Sequence, residues 1–313
     1  MKRTCIKALG IPVVSLLLTS CFFPTDKETN QNTDEENALP VAATFIKVNG
    51  GLVSGKVADS FVFIENRTIQ INDLLVSDHE VTQNEYSTYC KYGDTNPGYA
   101  SGKGTNYPAY GVNWYDALVY CNLRSMAEGF DPVYKYGSKS NPEEWPEVTK
   151  NSFGKYCGPS TGSNSLDTIT MDISANGYRL PTEAEWEYIA RGGNKGIFPE
   201  QTTYAGSDTI EEVAWYFNNA TNRTRPVKGK SPNFLDIYDL SGNVSEICWD
   251  WSDTSITAET PASGVNESSR KTRVSRGGNM AVHAPVCAVR ARDSIKVFGR
   301  ADNVGFRVVR TDN

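Results

Sequence analysis

Histidine is nearly missing from this 313-residue sequence, which holds only His79 and His283. Neither has a partner at ligand or triad spacing, so a histidine metal site or a Ser-His-Asp arrangement has no support. The seven cysteines contain no CxxC pair, so a thiolate zinc site is not expected. Long basic blocks are also lacking, and the net charge is -6. A nucleic-acid partner therefore has no electrostatic basis. No apolar run is long enough to cross a bilayer as a helix, since the one at residues 11–18 is too short. What the chain does have is aromatic side chains, with 16 Tyr, 12 Phe and 6 Trp, and length enough to bury a large core.

The short apolar run follows Lys2, Arg3 and Lys7 and ends in Leu18-Thr19-Ser20-Cys21. That pattern is similar to the lipobox of bacterial lipoproteins, in its relaxed spirochaete form. The resemblance implies cleavage of residues 1–20, acylation of Cys21, attachment to a membrane through the lipid, and display at the outer-membrane surface. The alternative is an ordinary signal peptide that contains a cysteine. Residues 21–42 are rich in Thr, Asp, Glu, Asn and Pro without periodicity and read as a flexible tether. The folded domain is expected over 43–313. Beyond the leader and anchor, Cys90, Cys121, Cys157, Cys248 and Cys287 are odd in number and widely spaced. Most are expected as buried free thiols, although an oxidising compartment allows a disulfide.

Folded sequence starts near Thr44-Phe45-Ile46, and strand-type runs follow at Phe61-Val62-Phe63-Ile64 and Thr68-Ile69-Gln70-Ile71. Thr82-Gln83-Asn84-Glu85 and Thr182-Glu183-Ala184-Glu185 have capping-box spacing and predict helix starts. A further helix is predicted from Asn113, with Trp114, Ala117, Leu118 and Cys121 on one stripe. In the helix after Thr182, Trp186, Ile189 and Ala190 form the expected buried face, and first-turn acids suit the helix dipole. Residues 131–177 read as an excursion with one hairpin. From 233 onward strands and turns alternate, which gives an α+β class.

Tyr178-Arg179-Leu180-Pro181-Thr182-Glu183-Ala184-Glu185-Trp186-Glu187-Tyr188, then Ala190-Arg191-Gly192-Gly193, resembles a signature of the formylglycine-generating, or sulfatase-modifying, family. Other segments match that family in order. They are Glu80-Val81-Thr82-Gln83-Asn84-Glu85-Tyr86, Gly111-Val112-Asn113-Trp114-Tyr115-Asp116-Ala117, Gly242-Asn243-Val244-Ser245-Glu246, Arg276-Gly277-Gly278 and Gly305-Phe306-Arg307. The resemblance implies a C-type lectin fold of the formylglycine-generating-enzyme type, with short strands and two or more flanking helices. It says less about activity, because fold does not fix function.

Catalytic members of the family carry two cysteines after the Arg-Gly-Gly element, which bind copper(I). Aligned on Gly277-Gly278, the second falls on Cys287 and the first on Val282, so copper is not expected and no catalytic residue is assigned. The resemblance also implies calcium, through the side chains of Asp239 and Glu246 and the carbonyls of Gly242 and Val244. A metal-free turn closed by Asp and Gly is the alternative. A second family calcium site has Lys228 in its aspartate position.

The tail carries the functional expectation. Between Gly278 and Gly305, Cys287-Ala288-Val289, Arg292 and Arg300 are a thin framework. Around them stand Ala281, Val282, His283, Pro285, Val286, Arg290, Ala291, Asp293, Ser294, Ile295, Phe298, Gly299, Ala301, Asp302 and Asn303, with no helical or strand period. The stretch resembles the variable regions, about 276–310 here, of spirochaete lipoproteins diversified by retroelements. Adenine-directed mutagenesis there cannot readily yield Lys, Glu, Gln, Met or Trp. Those types make up 49 of 313 residues, so 23 residues should hold between three and four, yet 281–303 holds Lys296 alone. The reading is a monomeric, surface-displayed protein without catalysis whose tail binds an unknown protein or cell-surface ligand. His283, Arg290, Asp293, Ile295 and Phe298 are the leading contacts. Arg276, Arg292, Arg300 and Arg307 are expected to hold the framework through bidentate bonds. The alternatives are a sulfatase-modifying type of oxidase or hydroxylase with altered metal ligands, and an accessory lipoprotein without a diversified site.

Overall fold

Helix starts form where the chain can satisfy its own orphan amides. Thr82 opens α1 (Gln83–Tyr89), Asn113 opens α2 (Trp114–Ala127) and Thr182 opens α3 (Glu183–Ala190), each with a reciprocal capping box. At α2 the Asn113 side chain accepts from the Asp116 amide at 2.9 Å, while Asp116 Oδ2 accepts from the Asn113 amide at 2.9 Å. Gly192 and Gly193, both at positive φ, close α3. Two shorter turns of helix, α4 (Ile210–Val213) and α5 (Phe217–Ala220), follow. The computed structural model describes residues 39–91, 102–160, 165–194, 201–252, 255–264 and 271–313. Cys21, the leader and most of the expected tether lie outside the described residues.

The N-terminal strands are β1 (Phe45–Val48), β2 (Gly51–Ser54), β3 (Thr68–Ile71) and β4 (Leu74–Ser77). β2 and β3 pair as a ribbon. Residues 131–177 hold β5 (Tyr134–Lys135), β6 (Thr149–Lys150), β7 (Tyr156–Cys157) and β8 (Thr170–Met171). Here the single expected hairpin becomes two nested ladders, β6–β7 inside β5–β8. Trp145 and Leu166, both buried, peg the excursion to the core, a role its polar composition hides. β9 (Ala214–Trp215) and β10 (Ser241–Gly242) pair in parallel.

The C-terminal half supplies β11 (Ser245–Trp251), β12 (Thr272–Arg276), β13 (Arg292–Lys296), β14 (Val304–Gly305) and β15 (Val309–Thr311). The main sheet runs β13-β12-β11-β14, with β11–β14 parallel and the other pairs antiparallel. A second sheet, β1-β4-β15, joins the two ends of the domain. One core gathers Trp114, Tyr120, Trp251 and Phe306, and another gathers Val76, Trp186, Ile189 and Leu240.

Two local expectations change. Phe61–Ile64 is no strand but a bend. There Ser60 Oγ accepts from the amides of Val62 and Phe63, and those two side chains are buried while Phe61 is exposed. All eight residues of α3 are buried, not one face of it. Its acids tolerate this because arginines meet them. Glu185 accepts from Arg179 at 2.6 Å, Glu187 from Arg276 at 2.5 Å and Glu183 from Arg292 at 2.8 Å.

Candidate functional site

The tail leaves β12 through two glycines that no other residue could replace without strain. Gly277 and Gly278 sit at φ +87° and +68°. A Cβ on Gly278 would lie 2.7 Å from the Val286 carbonyl and 2.8 Å from Cys287 Sγ. Residues 279–291 therefore fold back over a small third core that contains Tyr204, Tyr216, Cys287 and Ala288. Asn279 fixes the start, accepting from the Ala281 amide and donating to Ser245 Oγ. Ser241 Oγ donates to the Cys287 carbonyl, and the Val289 amide donates to the Thr203 carbonyl.

The four framework arginines all make charge-assisted bonds, but only Arg300 and Arg307 grip one carboxylate with two nitrogens. Arg276 donates to Glu187 and to the Val289 and Arg290 carbonyls. Arg292 bridges Glu183 and the Ser252 carbonyl, each at 2.8 Å. Arg300 grips both oxygens of Asp116, at 2.8 and 2.9 Å, and also the Gly158 carbonyl. Arg307 grips Glu246 and donates to the Ser77 and Tyr238 carbonyls.

Between these clamps the side chains divide by burial. Cys287, Ala288, Val289 and Val297 are buried. His283, Pro285, Val286, Arg290, Asp293 and Ser294 are exposed. Ala281, Val282, Ala291, Ile295, Phe298, Gly299, Ala301, Asp302 and Asn303 are half-buried. The residues fall into two patches. Val282 and Ala291 rest on the third core, while Ile295, Phe298 and Ala301 rest on the core around Trp114. The absence of a strand period is misleading at 292–296. There β13 forms because five consecutive pairs with β12 set its backbone, whatever its side-chain pattern.

One exposed neighbour escapes a reading of the tail alone. Phe217, at the start of α5, is 48% exposed, and its ring centroid lies 4.6 Å from that of His283. Its amide donates to the Val282 carbonyl at 3.0 Å. The run Trp215-Tyr216-Phe217 was the available signal, but nothing local joins it to residue 283.

The positions weighed for metals are arranged as follows. Cys287 is fully buried, and burial pushes its thiol up to about 12, so it is a thiol at neutral pH. It is the one cysteine of the third core, and Val282 packs against the same cluster. The two carboxylates of the expected calcium set have other partners. Glu246 accepts from Arg307 Nη2 at 2.7 Å and from the Trp186 indole at 2.7 Å, so its charge and oxygens are already committed to a buried cation. Asp239 accepts from the Lys228 amide at 2.8 Å, and burial raises its carboxyl to about 6. Lys228 Nζ reaches Asp78 at 2.7 Å. Among the described residues no three His, Cys, Asp or Glu side chains group as cation ligands.

Known proteins share this architecture. "Chaperone protein LppX" of Paenibacillus barcinonensis is 33% identical over 263 residues, spanning 79% of this chain and 83% of that protein. The solved structure of Treponema denticola variable protein 1 superposes with a TM-score of 0.68 at 28% identity, covering 87% of this chain and 96% of that one. The formylglycine-generating enzyme of Streptomyces coelicolor is 36% identical over 149 residues, but that match spans 42% of this chain and 46% of the enzyme. Residues 29–312 match the family described as the sulfatase-modifying factor enzyme 1-like domain. With its α+β fold and its framework of buried arginine–carboxylate pairs, the chain belongs to the formylglycine-generating, sulfatase-modifying factor family.

Proposed function

We propose that this chain is a lipid-anchored, surface-displayed ligand-binding protein whose tail, residues 281–303, makes the contacts. One observation carries the reading. Every one of the fifteen non-framework side chains is exposed or half-buried, while the framework between them is buried or clamped by arginines. A rigid scaffold with a substitutable rim suits recognition. The likeness to a Treponema variable protein supports diversification of that rim. Phe217 extends the surface beside His283, and together with Arg290 it supplies the aromatic and guanidinium chemistry that dominates hot spots. The reading has no catalytic step, since Val282 stands where the family's first copper-binding cysteine falls.

Two measurements test it. Sequencing the 3′ end of the gene across isolates should find substitutions clustered at the fifteen positions and sparing residues 287–289, 292 and 300. An even scatter would overturn diversification. Alanine at Phe217, His283 and Arg290 together should abolish adhesion of displaying cells to host surfaces at unchanged surface abundance, and retained adhesion would overturn the contact assignment. Turnover of a sulfatase-type peptide with copper(I), lost in Cys287→Ala, would restore the oxidase reading.

A second reading is favoured by the 33% identity to a protein named as a chaperone. In that case the same exposed face would hold a folding client. Suppression of aggregation of secreted proteins at stoichiometric ratio, lost with the triple alanine variant, would mark this role.

A further inference from the structure

Among the described residues, the fully enclosed arginines differ in how fully their charge is met. Arg179, Arg276 and Arg307 each meet a carboxylate. Arg67 meets none, but it donates to the carbonyls of Val62, Thr260 and Pro261. Arg273, on β12 and 2% exposed, has a single carbonyl acceptor and no carboxylate. Its guanidinium carbon stacks 3.4 Å from the Trp251 ring centroid and 3.7 Å from that of Trp114. Nη1 donates to the Trp249 carbonyl at 2.5 Å, and Nε is buried with no hydrogen-bond partner. No carboxylate lies within ion-pairing distance of it among the described residues. Stacking on indoles offsets part of the cost of burying the cation, but it does not supply acceptors for the free N–H groups. Burial alone pulls this guanidinium down to about 9, a sign of how poorly its charge is matched.

Arg273 lines a cavity of about 420 Å³, a size suited to a small organic ligand. Its walls include Trp249, Trp251, Ile169 and Met171, which are flat or apolar. The acid at the rim, Asp167, is already engaged. It accepts from Tyr115 Oη at 2.6 Å and from Lys271 Nζ at 2.8 Å. With Asp167 and Lys271 paired to each other, Arg273 has no ion-pair partner among the described residues, and Asp167 and Asp250 act on it only through space.

We propose that this recess binds an organic monocarboxylate, its carboxylate on Arg273 and its flat apolar body against Trp249 and Trp251. A single guanidinium beside two indoles matches one negative charge on a flat body, and Thr168, Thr170 and Ser263 give the rest of the wall a polar edge. The site is independent of the tail face, because none of the fifteen rim residues lines it. The carboxylate could belong to a free acid or to the C-terminus of a peptide.

The test uses the mature chain with phenylacetate, phenylacetamide, and a short peptide ending in phenylalanine as free acid or as amide. Binding is read by calorimetry, by quenching of tryptophan fluorescence and by the rise in Tm that ligand linkage requires. Phenylacetate should bind saturably, with the amide at least tenfold weaker. Binding of the free-acid peptide with equal or greater affinity assigns the source to a peptide terminus, and its exclusion assigns it to a free acid. Arg273→Met should remove the acid–amide discrimination. Since that change is in the core, Thr170→Trp serves as a second variant. It plugs the recess from the exposed strand β8 and should fold normally yet lose binding. Equal affinity for acid and amide, binding undiminished by Thr170→Trp, or no binding of any probe overturns the proposal.

Discussion

Arg307 holds its charge where no water reaches, and Glu246 is the reason it can. Arg307→Met keeps the volume but leaves a buried carboxylate with the Trp186 indole as its one remaining side-chain donor. We expect a loss of about 3–5 kcal/mol in urea unfolding at neutral pH, the usual cost of breaking a buried pair from one side. Arg290 is the contrast, since it is exposed and 3.8 Å from Asp59. Its alanine variant should stay within roughly 0.5 kcal/mol of the parent. Asp250 gives a pH signature. It is buried among Glu183 and Glu185, and desolvation, with those neighbours, raises its carboxyl to about 7. Between the unfolded value near 4 and about 7, the folded chain binds the extra proton. Stability from this group therefore falls as pH rises through that window and levels off above it. Asp250→Asn cannot ionise yet can still accept from the Glu183 amide. Its stability relative to the parent should improve by about 2 kcal/mol between pH 5 and pH 8, measured by urea unfolding at both.

At the scale of elements, what could be read from the sequence was what is local. Thr82, Asn113 and Thr182 announced their helices because a capping box lies within four residues. The strand at Thr68–Ile71 was visible for the same reason. The Phe61–Ile64 bend was not, because a single hydroxyl, Ser60 Oγ, diverts two amides that a strand would have used. Nor was β13, whose backbone is dictated by β12 about twenty residues earlier. The identities of the framework arginines were legible, but not their carboxylates, which lie 61 to 184 residues away. At the site, the division of the tail into framework and rim was legible, while Phe217 and Arg273 needed the fold. Arg300 illustrates how one such pair organises an element. It ties the turn after β13 to the first residues of α2, where the Trp114 amide donates to the Val297 carbonyl and the Gly111 amide to the Ala301 carbonyl. In Arg300→Ala those two amides should exchange with solvent at least tenfold faster, while amides of β4 keep their protection, as read by hydrogen exchange.

For the molecule as a whole, the rim and the frame should respond differently to change. Replacing His283, Pro285, Val286, Asp293 and Ser294 together by other polar or small residues should shift Tm by no more than about 3 °C, since none is buried. Gly278→Ala adds one methyl group but meets the Val286 carbonyl and Cys287 in a left-handed backbone. It should cost about 1–3 kcal/mol, by the same thermal melt. The order of the chain adds one more consequence. Residues 304–311 come after the whole rim, yet they include Phe306 and Arg307 at the centre of the molecule and β15, which closes the sheet begun by β1. A frameshift or premature stop anywhere in 281–303 therefore deletes the keystone of the fold and not merely a loop. Translation errors in the tail should yield chains that are degraded and never displayed, so only in-frame changes reach the surface.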